Sequence, residues 1–145
     1  MGPSDTIPGA FVGADGWLLA AVVLCGEPTS LPEVIGAADF LNHAIPEQAE
    51  LECGLNRLLA AGYITHQDGR FGPTDKGRAM WEAAEPTKGG PIRAMLRLYD
   101  TIKLLPQLGP VPKQIVITDE HVRAAYQEYL DLLRRPKPPA SKKGD

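Results

Sequence analysis

Cysteine, serine and long apolar runs are scarce in this chain, and each scarcity removes a class of protein. Cys25 and Cys53 are the only cysteines. They form no CxxC pair and fall inside apolar helical patterns, which fits two buried thiols in a reducing compartment rather than a disulfide framework or a zinc site. The only serines are Ser4, Ser30 and Ser141, in tail or cap positions, so a hydrolase triad lacks its nucleophile. There is no P-loop, no GxGxxG and no HExxH. The longest apolar run, Trp17 to Cys25, is far short of the roughly 20 residues needed to span a bilayer. Met1 to Ala14 contains Pro3, Asp5 and Pro8 without a basic start, unlike a signal peptide. The expectation is a cytoplasmic, non-enzymatic protein with no cofactor, no bound metal and no membrane contact.

What is present is the composition of a globular protein. Of 145 residues, 43% are hydrophobic and 23% charged, enough apolar material for one ordinary core. The formal charge is -3, so any attraction to nucleic acid has to come from a local basic patch.

Residues 1 to 14 are rich in Gly and Pro and lack a period, which predicts a flexible arm unless Ile7, Phe11 and Val12 dock on the body. Asp15 is a suitable N-cap for a first helix carrying Trp17, Leu18, Ala21, Val22 and Cys25 up to Gly26. Ser30-Leu31-Pro32-Glu33 is a capping box that opens a second helix, with Val34, Ile35, Ala38 and Leu41 as its buried stripe. A third helix, Glu47 to Ala61, sets Leu51, Leu55, Leu58 and Leu59 on one face and ends at Gly62, a left-handed cap.

Tyr63 to His66 and Arg70-Phe71 are short strands about an Asp68-Gly69 hairpin turn, and Thr74 caps a fourth helix with Met80, Trp81 and Ala84 inward. Beyond a Lys88 to Pro91 linker, Ile92 to Leu105 forms another amphipathic helix with Ile92, Met95, Leu96, Tyr99, Ile102 and Leu105 as its stripe. Gln114 to Ile117 is a candidate strand. Thr118 caps a last helix, Asp119 to Arg135, with Val122, Ala125, Tyr126, Tyr129, Leu132 and Leu133 on one side. The expected organisation is an arm at 1–14, a domain at 15–86, a helical extension at 87–135 suited to dimerisation, and a disordered tail at 136–145.

Helix, helix, turn, helix, hairpin, helix is the order of a winged helix-turn-helix domain. Leu55-Asn56-Arg57-Leu58-Leu59-Ala60-Ala61-Gly62-Tyr63-Ile64 resembles the end of the recognition helix in MarR-like and PadR-like bacterial transcription regulators. Phe71-Gly72-Pro73-Thr74-Asp75-Lys76-Gly77-Arg78-Ala79 is similar to their step from wing to following helix. The resemblance covers about half the chain, residues 15 to 85. It implies a mainly α fold with a small β-hairpin wing (α+β), here with two additional C-terminal helices, and a homodimer paired through residues 92–135. Within it, Gly62 reverses the chain, Thr74 satisfies helix-start amides and Gly77 allows backbone to approach closely.

The family's DNA-reading face falls on Glu47, Gln48, Glu50, Glu52, Cys53 and Arg57, and its wing on Gln67 and Arg70. Here the chain departs from the pattern, since three glutamates stand where phosphate-binding cations are needed. A glutamate can accept from cytosine, but three without neighbouring cations oppose the backbone charge. Arg70 could enter a minor groove. Asp39 and His43 stand at i, i+4, and His66 and His121 are isolated, so no ligand set is complete. The basic tail, with Arg134, Arg135, Lys137, Lys142 and Lys143, reads as a solubilising end. Two functions follow: a regulator-like DNA binder, or a protein-interaction module whose acidic face suits a basic partner. Trp17, Phe40 and Trp81 either fill the core or enclose a small pocket.

Overall fold

A helix that is apolar on every side has to be surrounded, and the stretch from Ala14 to Val22 is buried at each position. In the computed structural model, which describes residues 6–134, this stretch lies within α1 (Gly13–Cys25) at the centre of the molecule. The remaining elements are β1 (Thr6–Ile7), α2 (Leu31–Asn42), α3 (Gln48–Ala60), β2 (Ile64–Gln67), β3 (Arg70–Pro73), α4 (Asp75–Ala83), α5 (Gly90–Ile102), β4 (Val111–Pro112) and α6 (Asp119–Arg134). The fold is α+β, mainly helical with a hairpin wing. Around α1 pack α2, α3, α4, α5 and β3, while α6 rests on α2.

Local chemistry explains the boundaries. Glu33 Oε1 accepts from the Ser30 amide at 3.1 Å, completing the expected start of α2. Thr74 Oγ1 accepts from the Gly77 amide at 3.0 Å and donates to the Gly62 carbonyl at 2.6 Å, tying α4 to the end of α3. Gly62 has φ of 84°, the left-handed geometry that lets the chain turn into β2. At Gly77 a Cβ would stand 2.2 Å from the Tyr63 carbonyl oxygen, so only glycine lets α4 lie this close to the wing. The wing is an antiparallel pair with Gln67 opposite Arg70, closed by Asp68 and Gly69 with positive φ. Thr29 exchanges both backbone hydrogen bonds with Phe71, adding a third rung beside β3.

Several expectations are corrected. The described part of the arm is not loose: β1 pairs antiparallel with β4, and Ile7 and Phe11 are buried, although Val12 is exposed. Asp15 is not the N-cap of α1; the N-cap is Val12, three residues earlier, and the Asp15 carboxylate accepts from the Val12 amide at 3.1 Å. Helix α5 does not stand apart as an extension. Ala94, Met95, Leu98 and Ile102 sit in the same core as α1, so of the expected stripe Met95 and Ile102 are buried within the chain while Ile92, Leu96 and Tyr99 are partly exposed. On α6 only Ala125 is fully buried, with Val122 and Tyr129 partly covered, while Tyr126, Leu132 and Leu133 are exposed. Trp17 and Trp81 fill the core and Phe40 is exposed, so the three enclose no pocket. The strand placed at Gln114 to Ile117 is shifted: β4 is Val111–Pro112, and the residues after it run along α3 instead of along another strand. The tail expected at 136–145 lies outside the described residues.

Candidate functional site

Helix α3 carries Gln48, Glu52 and Asn56 at four-residue intervals, a polar stripe on a helix whose other inward stripe is leucine. A strap formed by residues 113–118 lies against this stripe. Asn56 Oδ1 accepts from the Gln114 and Ile115 amides at 2.8 Å each, and its Nδ2 donates to the Ile115 carbonyl at 2.8 Å. Glu52 Oε2 accepts from the Ile117 amide at 2.9 Å, and Gln48 Nε2 donates to the Ile117 carbonyl at 2.6 Å. The three side chains therefore take up main-chain groups of Gln114, Ile115 and Ile117 that would otherwise lie unpaired against the helix. Ile115 and Ile117 point inward and are buried, and Val116 between them is 61% exposed. Lys113 Nζ lies 3.3 Å from Glu52 Oε1, so the carboxylate is held by a cation as well as an amide.

Glu52 and Arg57 are thus not part of an outward face, which corrects their expected place. Arg57 is buried, with Nε 2.7 Å and a terminal nitrogen 3.1 Å from the two Asp15 oxygens, and its other terminal nitrogen donates to the Pro8 carbonyl at 2.9 Å. Glu47 is exposed as the N-cap of α3, where its amide donates to Glu50 Oε1 at 2.9 Å. Gln48 and Cys53 are half-buried. What α3 leaves to solvent is Ala49, Ala60 and the outer parts of Gln48, Glu50, Cys53 and Leu59, with no cation among them.

On the wing, Gln67 and Arg70 are exposed opposite one another beside the turn. His66 stacks on Phe71 with ring centroids 4.8 Å apart. Glu33 is held below the usual carboxylate range, first by the Thr29 hydroxyl, then by the Ser30 amide and hydroxyl, with a smaller contribution from the Arg70 charge. Asp39 and His43 do not act together: Asp39 accepts from the Tyr129 hydroxyl at 2.8 Å, and His43 closes α2 with a left-handed backbone. Among the described residues, no group of three or more His, Cys, Asp or Glu side chains is placed to hold a metal ion. No described helix is long and apolar enough to cross a membrane.

A groove of 420 Å³ opens between the wing, the strap and α6. Phe71, Ile115, Ile117 and Ala125 form its apolar bed, and His66, His121 and Glu128 supply polar edges. His121 Nδ1 accepts from the Thr118 amide at 3.1 Å, which leaves its Nε2 for an outside partner. The sequence reading missed this groove and the strap beside it. Its signals were the i, i+4, i+8 amide and carboxylate stripe of α3 and the apolar run Ile115-Val116-Ile117. Comparison with protein-family models, curated proteins and solved structures gives no match to this chain.

Proposed function

We propose that the chain is a non-enzymatic protein-interaction module on a winged-helix scaffold, and that α3 is a structural helix rather than a DNA reader. The observation that carries this reading is the strap: the Gln48, Glu52 and Asn56 stripe is occupied by the chain's own backbone. The uncovered part of α3 offers Glu50 but no Arg or Lys. Phosphate contacts supply most of the affinity of a DNA-binding helix, and this surface repels them. The same acidic character favours a basic protein partner.

The regulator reading keeps two observations. Arg70 is exposed at the wing tip, and Ile92, Leu96 and Tyr99 stand exposed on α5 within residues 92–135, where a dimer would pair.

The deciding measurement is binding to random duplex DNA and to heparin at low salt, by fluorescence anisotropy. No salt-dependent binding is expected of the wild type, and a Glu47→Gln/Glu50→Gln variant gains at most weak, sequence-independent binding. Tight wild-type binding that weakens steeply with salt and is lost in Arg70→Ala would establish the regulator reading instead.

A further inference from the structure

We infer that the groove between wing, strap and α6 receives an extended segment of a partner protein, a strand with alternating apolar side chains and a basic residue at its end. The inference rests on the interaction-module reading and gives it a place and a chemistry.

Three observations converge on this occupant. The first is the strap's unused edge. The strap bends at Ile115, and of its central residues only Val116 keeps both main-chain groups off α3. Those of Ile115 and Ile117 are taken by Asn56, Glu52 and Gln48. Among the described residues the N–H and C=O of Val116 have no protein hydrogen-bond partner, and its side chain is 61% exposed. An edge of this kind accepts an added strand. The second is the bed beside that edge, a volume of 420 Å³ lined by Phe71, Ile115, Ile117 and Ala125, within the range of specific binding pockets. Alternate side chains of an added strand would enter it. The third is charge. Glu128 lines the groove and the exposed Asp119 and Glu120 follow the strap directly, three carboxylates against the exposed Arg70 and Arg123 next to lining residues. An apolar bed with Glu128 on its wall and Asp119 and Glu120 at the strap's end favours an apolar segment ending in Lys or Arg at that end.

The partner is unidentified, so the probe is the labelled peptide acetyl-Lys-Val-Thr-Val-Thr-Val-Lys-amide, titrated by anisotropy against the full chain. Binding with Kd on the order of 100 μM is expected. Amide exchange at Val116 should slow when the peptide is bound, since its N–H acquires an acceptor. Methylating alternate backbone nitrogens of the peptide, on the edge that would face the strap, should weaken binding about tenfold while keeping every side chain. Ala124→Arg, which places a bulky cation on the exposed wall of the groove, should do the same with an unchanged melting temperature. The wild-type exchange measurement stands whether or not that variant folds.

Equal binding of the methylated peptide, unchanged exchange at Val116, or no binding at about 1 mM each overturns the proposal. Binding through side chains alone would assign the groove to a small apolar ligand. A second copy of this chain in the groove would show as exchange protection at Val116 that rises with protein concentration without peptide, and it too overturns the proposal. Failure here together with silence toward DNA and heparin leaves the interaction-module reading in place, whereas DNA binding removes that reading by itself.

Discussion

The Arg57 guanidinium and the Asp15 carboxylate meet in a two-point pair, at 2.7 and 3.1 Å, with the Asp15 side chain fully buried and that of Arg57 7% exposed. The pair joins α3 to the first turn of α1, and its remaining bonds reach the Val12 amide and the Pro8 carbonyl. A buried pair of this kind contributes little over an apolar replacement, but breaking it strands a charge at a cost of about 3–5 kcal/mol. Arg57→Met should therefore lower unfolding stability by about that amount in urea titration. Asp15→Asn/Arg57→Met should cost clearly less than the sum of the two single changes. Simple additivity would show that the two side chains are not energetically coupled.

Asn56→Ala removes the acceptor for the Ile115 amide and the donor to its carbonyl, and leaves the Gln114 amide only its bond to the Pro112 carbonyl. Groups left without partners beside the core cost about 1–3 kcal/mol in total if the strap lifts far enough to hydrate them. The expected signature is local. Amides at Gln114, Ile115 and Ile117 should exchange faster while those of α1 keep their protection, and Asn56→Asp should restore only the acceptor half. Uniform loss of protection across the chain would mean that the strap is not a separately releasable segment.

Much of the scaffold was legible because its signals are local. Ser30 with Glu33, Gly62, Asp68-Gly69 and Thr74 fix ends and turns through bonds made within a few residues, and the structure places each where those bonds require. The errors came where a partner distant in sequence decides the outcome. Arg57 was read as outward-facing because the carboxylate that buries it lies 42 positions earlier. Gln48 and Glu52 read as part of the DNA-reading face because their partners, like those of Asn56, are backbone groups of a segment 59 to 69 positions later that pairs with a helix instead of forming the strand its sequence suggested. On α5 two apolar faces compete, and only the packing of Leu98 and Met95 against α1 selects which is inside.

Gly77→Ala sets two effects against each other. Alanine favours the helix interior by about 1 kcal/mol over glycine. Its Cβ, however, would stand 2.2 Å from the Tyr63 carbonyl oxygen, a backbone atom that also accepts from the Thr74 amide at 3.1 Å. Relieving that overlap means moving α4 off the wing, a strain of about 1–3 kcal/mol or more, so net destabilisation is expected. Differential scanning calorimetry should record a lower midpoint for G77A. A raised midpoint would show that α4 can shift freely at this contact.

Acid should loosen the start of α2. Thr29, Ser30 and, more weakly, Arg70 favour the ionised form of Glu33 in the folded chain and lower its pKa. A group with a lowered folded pKa adds stability that is present above its unfolded pKa, about 4.3 for glutamate, and is lost as pH falls through the folded value. Between neutrality and pH of about 5, Glu33→Gln should therefore be less stable than the wild type, and below the folded pKa the gap should narrow. A gap that stays constant down to the most acid conditions would assign the loss to shape rather than charge.

Self-association is the remaining expectation with a surface to carry it. Ile92, Leu96 and Tyr99 recur at helical spacing on the outer side of α5 and are 37%, 49% and 37% exposed, and Tyr99 lies against Gly13 at the start of α1. A stable dimer buries about 1,200–2,000 Å² in all, more than one helical stripe provides, so Val12 beside Gly13 would have to take part as well. Multi-angle light scattering at micromolar concentration should give twice the chain mass. Leu96→Glu, which puts two like charges across a two-fold axis without touching the core, should return the mass of one chain. A wild type that is already monomeric removes the pairing through residues 92–135 and leaves only the proposed groove beside Val116.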